Sequence, residues 1–266
     1  MRIIDPHIHM YSRTTDDYEK MALARIEVVV EPSFWLGSPR TSLGTMIDYW
    51  ENMISFEPER ARRYCIEHYC MVSVNPREAN NRGLASMCLE IMPKYLERKG
   101  VIGIGEIGFD QITELEEMFF RKQLRMATNM RLPVIVHTPH VKKLEGTKRA
   151  IEIIKEENCD EKTIILDHNT EETVSLCLKL DVMAAITVYP KTKMSSNRAI
   201  NLIRKYGTDR ILLNSSADWG DADPLSVPKT ALQMKLEGFK SSEIEKVVFE
   251  NPYNFFKQSK KFTYRV

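Results

Sequence analysis

Long apolar runs are missing from this 266-residue chain. No stretch approaches the ~20 residues of a bilayer span, which argues against a helical membrane protein. A charge imbalance is missing too. Lys and Arg number 38 against 37 Asp and Glu, leaving +1, so no large basic field is available to hold long nucleic acid non-specifically. Cysteine is sparse and irregular. Cys65, Cys70, Cys88, Cys159 and Cys177 form no zinc-ribbon pair and read as small buried residues in a reducing compartment, the cytoplasm. The N-terminus lacks the basic, apolar, small-residue order of a secretory signal. Low-complexity segments, short-period repeats, a Walker A loop and a G-x-S-x-G elbow are absent. Gly103-Ile104-Gly105-Glu106-Ile107-Gly108 matches G-x-G-x-x-G. A carboxylate in that turn would repel a pyrophosphate, and no early βαβ unit surrounds it. Those glycines are expected instead to let the backbone turn tightly beside a ligand residue.

What is present is alternation. Short β-branched runs at residues 2–5, 26–30, 69–74, 101–105, 134–136, 163–167, 182–187 and 210–214 read as strands. Continuous apolar runs such as Val134-Ile135-Val136 belong to strands covered on both faces, as in a parallel sheet. Between them, helical patterns occupy 43–62, 84–98, 114–130, 146–157, 171–179, 197–206 and 224–237. In 114–130, Leu115, Met118, Phe119, Leu124, Ala127 and Met130 fall near one buried face. Thr113 and Glu116 make a capping box. Eight strand–helix repeats without a compositional break predict one domain over residues 1–266, a (β/α)8 TIM barrel. A doubly wound open sheet is the alternative. It offers no place for a metal set drawn from the first and last strands together. Residues 31–44, a loop carrying Phe34 and Trp35, are expected over the barrel mouth as a lid, a substrate wall or an aromatic plug.

The chemistry-bearing residues sit where such a barrel gathers them. Strand residues two apart share a face, so His7 and His9 in Asp5-Pro6-His7-Ile8-His9 can reach one ion. Glu106 ends strand four, His137 strand five and His168 strand six, and Asp218 follows strand eight. Strand C-termini converge on one mouth. Four imidazoles and two carboxylates suit zinc, with manganese and magnesium as alternatives. Glu106 is the natural bridge between two divalent ions. One would be held by His7, His9, Glu106 and Asp218, the other by Glu106, His137 and His168. Two such cations acidify a shared water, and Asp218 is the candidate general base. His68, at the start of strand three, is expected to be structural.

These marks resemble the TatD-like metal-dependent hydrolases of the amidohydrolase superfamily. The resemblance is carried by Asp5-Pro6-His7-Ile8-His9, Gly105-Glu106-Ile107-Gly108-Phe109-Asp110, Pro133 to His137, Asp167-His168 and Asp218. It extends to Asn251-Pro252 with Phe255-Phe256 near the end. It implies a divalent-metal hydrolase of phosphoester bonds, with cleavage at the 3′ ends of DNA the best-described activity. Three departures point to a divergent, archaeal-type branch. Thr138-Pro139-His140-Val141-Lys142-Lys143 stands where the family often has an Arg. Asn169-Thr170-Glu171-Glu172 replaces a Cys-Phe-Ser/Gly run, and Ser216-Ala217-Asp218-Trp219 replaces Glu-Thr-Asp.

For substrate contact the sequence offers His140, Lys142 and Lys143 after strand five, Lys191 and Lys193 after strand seven, and Trp219 beside Asp218. Lysines facing the mouth would hold a phosphate or carboxylate, and Trp219 would stack on a base or sugar. Phosphoesters, DNA ends among them, are the first expected substrate. A cyclic amide, lactone or small ester is the second. A metal-stabilised scaffold without turnover is the third.

Overall fold

The computed structural model describes residues 1–266. Eight parallel strands run in sequence order around one sheet: β1 (Ile3–Asp5), β2 (Ile26–Pro32), β3 (Glu67–Met71), β4 (Val101–Gly108), β5 (Val134–His137), β6 (Ile164–Leu166), β7 (Met183–Thr187) and β8 (Ile211–Asn214). The last strand meets the first without a regular ladder. Beyond their ends, Ser216 N donates to His7 O at 2.8 Å and His9 N to Ala217 O at 2.9 Å. The result is a nearly closed (β/α)8 barrel. Strands flanked by helices bury both faces, which is why β4, β5 and β6 are buried at every position.

The Glu114–Met130 helix has the predicted bounds and the predicted capping box at Thr113. Segment 43–62 is helical throughout but is interrupted by a π turn at Asn52–Phe56. The pattern at 171–179 shrinks to a single turn, Val174–Cys177. Its first residues stay out of the helix, with the Glu171 carboxylate held by Arg198. No helix is long and apolar enough to cross a membrane.

The glycines of β4 serve packing. A Cβ at Gly103 would lie 2.4 Å from the Pro133 carbonyl oxygen. Gly108, at φ +122°, would place one 2.4 Å from the His137 carbonyl oxygen. Both positions therefore exclude side chains, and β4 closes against β5. Near the C-terminus, Asn251 Nδ2 donates to Thr208 O at 2.7 Å and Ile211 O at 2.8 Å. That side chain ties the final helix, Asn251–Phe256, to the base of β8.

Candidate metal centre

Three ligand atoms, one each from His7, Glu106 and His168, lie within 4.8 Å of one another in the barrel interior. Glu106 Oε1 is 3.4 Å from His7 Nε2 and 3.3 Å from His168 Nε2. His9 Nε2 is 3.1 Å from His7 Nε2. Donors sharing one tetrahedral ion at about 2.0–2.1 Å lie about 3.3 Å from one another, so these separations fit divalent-metal ligands. His137 stands beside His168, with ring centroids 4.8 Å apart. The tight trio mixes the two expected ligand sets, as a carboxylate standing between them requires.

The hydrogen bonds behind the rings orient them. His137 Nδ1 lies 2.7 Å from the Phe109 carbonyl oxygen, so it donates and leaves Nε2 free. His168 Nδ1 meets Thr187 Oγ1 at 2.6 Å, and that hydroxyl donates to Asp167 Oδ1 at 3.2 Å. His7 Nδ1 meets the other oxygen of the same carboxylate. Asp167 thus aims His7 directly and His168 through Thr187, an arrangement typical of metal-ligating imidazoles. Asn214 and the His168 amide also donate to Asp167.

Electrostatics agree with a cation-binding role. Burial, followed by neighbouring positive groups, holds His9, His137 and His168 well below the usual imidazole range. They are therefore neutral, as ligands must be. Burial also pulls His7 down, but Glu106 and Asp167 together outweigh it and raise His7 overall. Burial lifts Glu106 to about 7 against the pull of His7 and Lys193. Burial opposes ionisation of Asp167, yet His7 and the hydrogen bonds hold it well below the carboxylate range. The one side chain donating to Glu106 Oε2 is Asn75, at 3.2 Å.

Asp218 is not part of the tight trio. It lines the same cavity of 170 Å³ as Glu106, His137, His168 and Lys193. Its Oδ1 accepts from Tyr189 Oη at 2.9 Å and Gly220 N at 2.7 Å. His140 stands at the rim, stacked 6.1 Å from His168. Trp219 is 42% exposed. It packs 4.9 Å from Phe34, which stacks 4.0 Å from His9. Residues Phe34 and Trp35 of the 31–44 loop therefore form an aromatic wall on the β1–β2 side of the mouth.

Two expected substrate residues are not brought to the site. Lys142 and Lys191 are exposed and paired with Glu145 and Asp221. Their neighbours Lys143 and Lys193 turn inward instead. Asp110, the last residue of the Glu106 motif, pairs with Arg77 at 3.1 Å. His68 is structural, buried against Glu31 Oε2 at 2.8 Å. Asp167 and Asn75 were not among the expected site residues, although Asp167 is part of a quoted motif.

A family model described as TatD related DNase matches residues 4–257. An uncharacterized metal-dependent hydrolase from Methanocaldococcus jannaschii is 30% identical over 260 residues, 96% of this chain and 100% of the relative. The TatD-like protein of Archaeoglobus fulgidus superposes with a TM-score of 0.78 at 25% identity, covering 96% of this chain and 99% of that one. The lactonase of Listeria monocytogenes reaches a TM-score of 0.64 at 15% identity, covering 97% and 95%. At that identity the likeness is one of fold alone. The family match starts within β1 and ends just beyond the last helix, and the chain belongs to the TatD-related DNase family, within the metal-dependent hydrolases of the amidohydrolase superfamily.

Proposed function

We propose that this metal-dependent hydrolase cleaves phosphoester bonds with two divalent ions, zinc first among the candidates. His7, His9 and Glu106 would hold one ion, and Glu106, His137 and His168 the other, with Asp218 completing the set from the rim. Bound divalent ions polarise a phosphoryl oxygen and acidify water. The chain's own residues do the rest. Asp167 keeps the Nε2 atoms of His7 and His168 turned inward. Asp218, steadied at Oδ1 by Tyr189 and Gly220, accepts the proton of the attacking water and orients its lone pair.

One observation carries the choice of a phosphoester. Lys193 lines the cavity with Glu106 and Asp218, and its ammonium donates to Ser216 Oγ rather than to a carboxylate. A mouth that keeps a lysine over a metal-binding floor is suited to an anionic substrate, not a neutral lactone. The test is turnover of bis(4-nitrophenyl) phosphate, DNA 3′ ends and a lactone panel by zinc- and manganese-loaded protein. Phosphodiester hydrolysis is expected, abolished in the His7→Ala/His9→Ala double variant. DNA turnover should fall steeply with salt, because the release of counterions on phosphate contact becomes less favourable. Hydrolysis confined to lactones would overturn the reading.

A further inference from the structure

The fates of the mouth's lysines divide sharply. Lys142 and Lys191 are spent on surface carboxylates, and Arg198 is spent on Glu171 at 2.7 Å. Lys143 and Lys193 are not spent. Lys143 Nζ donates to Thr138 O at 2.8 Å and Thr138 Oγ1 at 3.0 Å. Lys193 Nζ donates to Ser216 Oγ at 2.9 Å. Neither forms an ion pair with a carboxylate, although each ammonium has three donors to place. Both line a cleft of 380 Å³ on the β5–β7 side of the mouth, with His168 at its inner end. The carboxylates of that cleft are Glu171, which Arg198 holds, and Glu172; both are exposed.

We propose that Lys143 and Lys193 form an anion subsite beside the His7–Glu106–His168 cluster, and that it takes a second phosphate of the substrate, distinct from the one being cleaved. The inference rests on the phosphoester reading and narrows it to substrates bearing at least two phosphates. Partly buried cations without counter-charge are unfavourable unless a ligand supplies the charge. Burial already pushes Lys143 down to about 7 and lowers Lys193, which Glu106, Asp167 and Asp218 hold up in part. Once Glu106 is committed to divalent ions, that support for Lys193 weakens, and an incoming anion replaces it. The cleft lies opposite the aromatic wall of Phe34 and Trp35, so the mouth has one cationic and one aromatic side.

Calorimetric titration of metal-loaded protein with inorganic phosphate tests this without turnover. The wild type is expected to bind one phosphate more per chain than Lys143→Met or Lys193→Met, or to bind it at least tenfold more tightly. Lys143→Arg, which keeps the charge, should retain the site, and metal content measured on each variant controls for misfolding. Equal stoichiometry and affinity in the wild type and both Met variants would overturn the subsite. Acetate filling it as well as phosphate does would overturn the assignment to phosphate. Retained extra phosphate without any phosphodiester turnover would sink the phosphoester reading and leave the subsite standing.

Discussion

Asp167 serves two imidazoles with one carboxylate. It meets His7 Nδ1 with one oxygen and, through the Thr187 hydroxyl, steadies His168 with the other. Asp167→Asn keeps the shape, removes the charge and presents an amide where His7 needs an acceptor. Losing such a partner costs about 10–100-fold in metal affinity or activity. Metal titration of the variant should show a loss in that range, with the fold retained. An affinity within threefold of wild type would mean that His7 is oriented by something else. The candidate ligands stand out in the sequence because they lie at or just after short apolar runs. Asp167 was harder to assign, since a carboxylate beside a ligand reads equally as ligand, cap or salt bridge. The sequence does not separate Lys142 from Lys143, because irregular loops have no period to say which neighbour points inward.

At the scale of elements, the turn after β4 depends on one helical residue. Glu116, 1% exposed, accepts from the amides of Asp110, Gln111, Ile112 and Thr113 at 2.8 to 3.4 Å. That is more than a capping box, because the same turn carries Phe109, whose carbonyl oxygen receives His137 Nδ1. Thr113→Ala removes one cap bond and should cost about 1 kcal/mol. Glu116→Ala strips the acceptor from four partly buried amides and should cost more, about 2–3 kcal/mol. Urea unfolding of the two variants checks the ordering, and equal losses would contradict it. The Glu114–Met130 helix was readable from its cap and its apolar face. The Thr15–Leu23 helix was not. Tyr18 and Met21 are its two buried residues among charged neighbours, too few to set a period. The expected 171–179 helix was overestimated because Glu171 pairs outward with Arg198.

The whole barrel is tied together at its mouth. The expected ligands lie on β4 and β5 and in the segments just beyond β1, β6 and β8, and β1 meets β8 without a ladder. Ions bound there would link strands from opposite sides and stabilise the native state by mass action, about 2.7 kcal/mol at a hundredfold excess over Kd. For a chain of this size that is a rise of roughly 5–10 °C in Tm. The gain has a predictable pH dependence. Glu106, at about 7, and His7, also raised, hold protons more tightly in the metal-free fold than in the unfolded chain. For these two groups the metal-free fold is favoured at low pH and loses that advantage as pH rises through about 7. Ions must displace the Glu106 proton, so their stabilisation is larger at pH 8 and shrinks as pH falls through about 7. His9, His137 and His168 are deprotonated in either state, so they drop out of the difference between loaded and metal-free protein. Calorimetry with and without a chelator should therefore show a wide gap in Tm at pH 8 and a narrow one at pH 5.5. A gap that stays constant between those pH values would mean that Glu106 carries no proton for the ions to displace.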